Sequence, residues 1–354
     1  MDPVTDVDWS MGSHAARLAD WDAAIQIGKR IAGPGPSVPP EERARMREDL
    51  ADRVVRAEGI VSGLTALHVT GFRSRAWAMG RGDWIRQNVG GLQRLMEPLA
   101  QRLLERRPTR PSIARKAVGA QAGAVLGYVS RRVLGQYDVF LPPDDEGLVY
   151  FVGPNLIEAE RKYGLVPADF RLWVAIHEVT HRVQFSVAPW LRSFLRGVVD
   201  EYLDTVAVDP HQLMEQLKRA ADEARTGTGP GGILRLLTPE QRVIFDRAQA
   251  MMALLEGHAS YVMNQVGTDV IPTLPQLKHA LQARRSVRGV ESRLQRAIGF
   301  DQKVAQYDRG ERFVSEVIDR VGMSGFNLVW ESREHLPRPG EVGDPAAWVA
   351  RVAS

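Results

Sequence analysis

The spacing of hydrophobic positions predicts helices along most of this chain. In the N-terminal third, residues 42–67 and 84–107 carry apolar side chains three and four positions apart, which is the period of a helix with one buried face. Residues 172–185 are predicted as a helix that is apolar nearly all round, and residues 239–266 as a helix with an apolar stripe. We therefore predict a mainly α fold.

The starts of the last two helices carry recognisable signals. Pro167 suits the first turn of a helix, and Asp169 favours its positive N-terminal end. Thr238 and Gln241 have the spacing of a capping box, and Pro239 lies between them at the first turn. These signals predict that the helices begin close to residues 167 and 239.

Strand patterns are few. The best are "QYDVFL" and "LVYFVGP", two runs rich in β-branched and aromatic residues that are separated by "PPDDEG". They predict a hairpin-like pair near residues 137–152. We expect an N-terminal helical layer over 1–112 and a core over 113–354, either as two parts or as one continuous domain. A glycine stripe in the core's first helix should let another element approach its backbone closely: Gly119, Gly123 and Gly127.

Composition narrows the possible chemistry. The chain has no cysteine, so any metal site must use His, Asp or Glu. The net charge of +3 is mild, and the basic clusters lack interleaved aromatic residues, so we expect no nucleic-acid partner. No segment reaches the roughly 20 apolar residues of a membrane span. With no secretory signal at the N-terminus, we expect a cytoplasmic protein.

The run "HEVTH" places chemistry within the helix at 172–185. It fits the pattern H-E-x-x-H, in which two histidines four residues apart lie on one helix face and bind a single Zn²⁺. The ligands would be His177 and His181, while Glu178 lies beside the open coordination position as a general base. Apolar neighbours surround these three residues, so they need a partner, and a metal supplies one.

A third ligand is predicted on the helix at 239–266. Glu256 shares an apolar stripe there, and a carboxylate in such a setting favours a nearby cation. His258 is the competing candidate, although it lies about 200° around the helix from Glu256. We favour Glu256 and keep His258 as the alternative.

Beyond these motifs, the chain resembles a known family. The segments "VLGQYDVFLP", "WVAIHEVTHRVQF", "LLEGHASYVM" and "KVAQYDRGERFV" occur in the order found in the zincin-like metallopeptidase type 2 family of high-GC bacteria. Its members are described as hydrolases or as proteins associated with deazaflavin-coenzyme biosynthesis. The resemblance implies a mainly α zincin-like fold, a small hairpin or sheet bordering the cleft, and a gluzincin-type site that Glu256 completes.

The hypothesis that follows is metal-assisted hydrolysis of a peptide or amide substrate. An oxyanion donor should face the metal, and Tyr307 and His258 are the candidates. Two other hypotheses about the function stay open. One is a zincin-fold binding protein with a structural or vestigial metal, and the other is a metal-free helical interaction protein. The pattern gives neither the substrate nor the oligomeric state.

Overall fold

The computed structural model describes residues 14–69, 71–106, 112–139, 147–205, 237–286 and 300–353, and leaves out the side chains of 281–286 and 300–308. Within this part of the chain, no helix has the length and apolar character needed to cross a membrane.

Helices dominate the described residues, as the hydrophobic period predicts. They are α1 (Trp21–Ala32), α2 (Pro40–Thr65), α3 (Arg81–Arg106), α4 (Ser112–Ser130), α5 (Gly153–Tyr163), α6 (Pro167–Val187), α7 (Trp190–Asp204), α8 (Pro239–Gln265), α9 (Leu274–Ser286), α10 (Phe300–Asn327) and α11 (Pro345–Val352). The strands are β1 (Arg75–Met79), β2 (Gly135–Tyr137) and β3 (Leu148–Val152). The prediction of a mainly α fold with a small sheet is confirmed.

The sheet has the strand order β1-β3-β2. The two predicted strands are therefore neighbours, although the first is short and the segment at 140–146 lies outside the described residues. Every residue of β3 is buried, which accounts for its continuous apolar sequence. Strand β1 was not predicted, because its sequence "RAWAM" has little β-branched character.

The described residues belong to two compact units. The first comprises those within 1–46, 78–136 and 150–159, and the second those within 47–77, 137–149 and 160–354. The expected division into 1–112 and 113–354 stays a prediction.

In the first unit, the glycine stripe of α4 packs on α1, as its spacing predicts. A Cβ at Gly119 would lie 2.2 Å from the Asp20 carbonyl oxygen, and one at Gly123 would lie 2.4 Å from the Ala24 carbonyl oxygen. Real Cβ atoms do not come this close to backbone, so only glycine permits this approach.

In the second unit, α6 and α8 begin where their capping signals predict. Pro167 is in the first turn of α6, and the Asp169 carboxylate accepts hydrogen bonds from the backbone N–H and the hydroxyl of Thr273. The Thr238 hydroxyl accepts from the backbone N–H of Gln241, whose side chain accepts from the backbone N–H of Thr238. The start of α8 is therefore fixed by its own capping box, whereas the acid in the first turn of α6 binds a residue 104 positions further along the chain.

A buried arginine also holds α6 in the second unit. Arg182 is almost fully buried and donates to the Glu58 carboxylate, the Ser74 hydroxyl and the Phe72 carbonyl. Because this charge has partners, its burial is compatible with a stable core. The contacts restrict rotation of α6 about its own axis.

Helix α8 packs closely on α10 through a second pair of glycines. A Cβ at Gly257 would lie 2.2 Å from the Gly310 carbonyl carbon, and one at Gly310 would lie 2.0 Å from the Ala253 carbonyl oxygen. Gly257 directly follows Glu256 in the chain. The close contact therefore fixes the backbone next to Glu256.

Candidate metal centre

Three side-chain atoms converge between α6 and α8. The Glu256 Oε2 atom lies 3.6 Å from His177 Nε2 and 3.6 Å from His181 Nε2. The two Nε2 atoms are 3.2 Å apart, and the imidazole rings are nearly perpendicular. The histidines come from one face of α6 because they are four residues apart.

The other nitrogen of each imidazole has an acceptor beside it. His181 Nδ1 is 3.0 Å from Gln184 Oε1, and His177 Nδ1 is 3.2 Å from the Met263 sulfur, a weak acceptor. Protons on both Nδ1 atoms satisfy these contacts. When both rings are neutral, their Nε2 atoms present lone pairs on the side of the Glu256 carboxylate, which is an arrangement that favours a cation.

The donor set and its spacing fit zinc. A tetrahedral zinc ion with bonds of about 2.0–2.2 Å to nitrogen and oxygen holds its ligand atoms roughly 3.3–3.6 Å apart. The three converging atoms, at 3.2, 3.6 and 3.6 Å, come close to this spacing. Among the described residues, His177, His181 and Glu256 form the group of side chains that can hold a metal ion.

Glu178 lies beside this group but does not belong to it. Its side chain is 7% exposed, and its Oε2 accepts a hydrogen bond of 3.1 Å from the backbone N–H of Tyr137 at the end of β2. Burial raises the pKa of Glu178 to about 7, a change that His181 opposes and Glu256 reinforces. A carboxyl with such a pKa exchanges protons near neutral pH.

The two histidines differ in their protonation. Burial lowers the pKa of His177 to about 4, and the neighbouring His181 acts in the same direction. Burial alone would also lower the pKa of His181, but its hydrogen bond and charge interaction with Glu256 raise it to about 9, with smaller contributions from Glu178 and Gln184. In the metal-free protein at neutral pH, His181 therefore keeps a proton that a metal ion would displace.

Gln184 was not predicted from the sequence. It lies on α6, three residues after His181, and is completely buried. Its Nε2 donates to the Leu255 carbonyl at 2.9 Å and lies 3.0 Å from His258 Nδ1. The i,i+3 spacing places Gln184 on the ligand face, but its contacts with α8 could not be read from the chain.

The remaining predicted site residues have different positions. His258 is fully buried, packs on the Phe326 and Trp330 rings, and is not among the converging groups. Burial lowers its pKa to about 3, so it is neutral. The Tyr307 side chain lies outside the described residues. The oxyanion role of these two residues stays a prediction.

Comparison with known proteins agrees with this geometry. The family model described as zincin-like metallopeptidase matches residues 19–349. A crystal structure from Chloroflexus aurantiacus, described as a "putative hydrolase with a novel fold", is 31% identical in sequence and matches with a TM-score of 0.71, over 95% of this chain and 99% of that one. No curated protein gives a significant match. The chain belongs to the zincin-like metallopeptidase family.

Proposed function

We propose that this protein is a zinc-dependent peptidase or amide hydrolase. His177, His181 and Glu256 would hold the metal, and Glu178 would act as the general base. The observation that carries the proposal is the convergence of two imidazole nitrogens and a carboxylate oxygen at 3.2–3.6 Å, with a buried carboxyl beside them. This donor set suits zinc and leaves one coordination position open.

A zinc ion in this site would supply a Lewis acid and lower the pKa of water toward about 7. The protein would supply the proton transfers. Glu178 would take a proton from the attacking water and pass it to the leaving amine. Its raised pKa, about 7, suits both directions of transfer near neutral pH. The hydrogen bond from the Tyr137 N–H would keep the carboxyl oriented during both steps.

The position of Tyr137 supports an extended substrate. Strand β2, which Tyr137 ends, is an outer strand of the sheet, and outer strands can pair with a peptide main chain. Because the Tyr137 N–H contacts Glu178, a peptide held near this residue would have an amide bond close to the base. We therefore propose a peptide or peptide-like amide as the substrate class.

The second candidate is a metal-holding binding protein without hydrolytic activity. One observation favours it: Glu178 is buried and already accepts a backbone hydrogen bond. A carboxylate bound in this way could serve packing alone. The two candidates differ in one measurable property, because only the proposed hydrolase would cleave a substrate.

The test is a comparison of zinc-loaded and chelator-treated protein on pools of unblocked and terminally blocked peptides, with cleavage read by mass spectrometry. We expect about one zinc per chain and cleavage that chelation removes and added zinc restores. Zinc binding without cleavage of any pool would favour the binding protein. Absence of zinc uptake would contradict both candidates.

A further inference from the structure

We propose that Gln184 is the positioning residue that fixes which nitrogen of His181 faces the metal, and that His258 fixes Gln184. This inference rests on the proposed metal-binding function, which it deepens. It concerns how the protein prepares one ligand before a metal arrives.

The proton assignment follows from one backbone group. The Leu255 carbonyl can only accept a hydrogen bond, so the Gln184 atom 2.9 Å from it must be the amide nitrogen. The amide oxygen of Gln184 then faces His181 Nδ1 at 3.0 Å. Since this oxygen can only accept, His181 must carry a proton on Nδ1, and its Nε2 is directed to Glu256.

The second proton of the Gln184 amide has its own acceptor. It points to His258 Nδ1 at 3.0 Å, so that nitrogen carries the lone pair and His258 Nε2 carries the proton. The His258 ring is held against Phe326 and Trp330, so its Nδ1 stays directed at the Gln184 amide. Rotating the Gln184 amide by 180° would place its oxygen against the Leu255 carbonyl oxygen, which can only accept.

The contacts also connect the two ligand helices. Gln184 lies on α6 with His181, and both of its donors reach residues that flank Glu256 on α8. Both Gln184 and His258 are fully buried, so water does not compete for these bonds. Groups that orient a metal-binding histidine typically change metal affinity by about 10- to 100-fold when removed.

Two variants of Gln184 separate orientation from packing. Gln184→Met keeps the size but removes the acceptor for His181, and we expect zinc affinity to fall about 10- to 100-fold. Gln184→Glu keeps the acceptor but cannot fill both donor positions, so we expect a lower melting temperature while zinc affinity stays within about 10-fold of the parent. A merely structural glutamine would lose affinity in step with stability in both variants.

The measurement is competition for zinc with a chromophoric chelator, together with thermal unfolding of each metal-free variant. Thr180→Val is the matched control, because Thr180 is fully buried on α6 and its hydroxyl donates to the Ile176 carbonyl of the same helix. We expect this control to keep the parent's zinc affinity. His258→Phe, which preserves the ring packing, should lower zinc affinity less than Gln184→Met.

Nitrogen-15 NMR of the zinc-loaded parent protein gives a test that needs no variant to fold. Two-bond proton–nitrogen correlations should show the proton of His181 on Nδ1 and that of His258 on Nε2. A proton on Nδ1 of His258, or Gln184→Met with the parent's zinc affinity, would overturn the inference. A parent that binds no zinc would instead refute the proposed function.

Discussion

Two helix–helix contacts in this molecule differ in the kind of group that they bring together. In the first unit, α4 meets α1 through glycines and backbone carbonyls. In the second unit, the contact of α6 with α8 encloses imidazoles, a carboxylate and an amide. The first contact depends on shape alone. The second brings together polar groups that are largely removed from water, with the ligand side chains 15–25% exposed, and this favours a partner for each of them.

The comparison indicates which of the two contacts affects function and which affects stability alone. A buried cluster of imidazoles and carboxylates costs folding free energy unless protons or a metal satisfy it. Glycine packing carries no such requirement, because it brings only backbone together. We therefore expect changes at the α6–α8 contact to alter metal binding and catalysis, and changes at the α1–α4 contact to alter stability.

The largest expected effect is on hydrolysis. Glu178→Gln keeps the size of the side chain but removes the proton acceptor, so we expect the rate to fall by about 10²–10⁴-fold. The measurement is the rate of cleavage of a peptide found with the zinc-loaded parent. Zinc content should stay at the parent's level, because Glu178 is not one of the converging groups.

The control for this variant is Glu240→Gln, which changes an exposed acid in the first turn of α8 and should leave the rate unchanged. An active preparation that keeps its rate after Glu178→Gln would contradict the proposed role of the base.

The next effect is on metal retention. Glu256→Ala removes the carboxylate that faces both Nε2 atoms, and we expect zinc affinity to fall by more than about 100-fold, beyond the loss typical of an orienting group. Chelator competition measures it. Asp246→Ala, an exposed acid on the same helix, is the control. If His258→Ala lost zinc while Glu256→Ala kept it, the third ligand would be His258.

Zinc affinity should also depend on pH. The metal must displace the proton that His181 holds with a pKa of about 9. Below that pH the apparent affinity should therefore rise about tenfold per pH unit, and above it the rise should level off. His177, with a pKa of about 4, is already neutral at pH 7 and adds no proton. Calorimetry in buffers of different ionisation enthalpy should show at least one proton released at pH 7.5, because metal-bound water with a pKa near 7 adds to the proton from His181.

The raised pKa of His181 also makes the stability of the metal-free protein depend on pH. The pKa of His181 in the folded protein is above the ordinary value of 6.5. Protonated His181 therefore stabilises the metal-free fold below pH 6.5, and this stabilisation is lost as pH rises toward about 9. Zinc binding that released no proton at pH 7.5 would mean that His181 is neutral in the metal-free protein.

The smallest effect is expected at the glycine contact. Gly123→Ala places a methyl group 2.4 Å from the Ala24 carbonyl oxygen, so the helices must separate. We expect a loss of about 1–3 kcal/mol in the free energy of unfolding. Zinc affinity should not change. Gly63→Ala in α2 is the control, since nothing lies within 4 Å of the added atom. It should be neutral or stabilising by up to about 1 kcal/mol.

The sequence predicted what depends on local spacing. The starts of α6 and α8 lie where Pro167 and the Thr238–Gln241 pair predict them. The spacing of His177 and His181 on one turn predicts that they share a face. The acid in the apolar stripe of α8 pointed to Glu256, and the structure places it beside both imidazoles.

Contacts between distant segments could not be predicted in this way. Gln184 meets Leu255 and His258 across 71 and 74 residues, and those pairings depend on how α6 and α8 are rotated against each other. The contact between the Tyr137 N–H and Glu178 was not predicted either, because the direction of that N–H depends on where the short strand β2 ends. Periodicity fixes which face of a helix is buried, but not which atoms meet there.

The most direct test of the account is a crystal structure of the zinc-loaded protein with anomalous diffraction measured on both sides of the zinc absorption edge. We expect one zinc ion bound by Nε2 of His177, Nε2 of His181 and the Glu256 carboxylate, with Glu178 close by but not coordinating. A zinc ion at another site, or one coordinated through Glu178 in place of Glu256, would contradict the account.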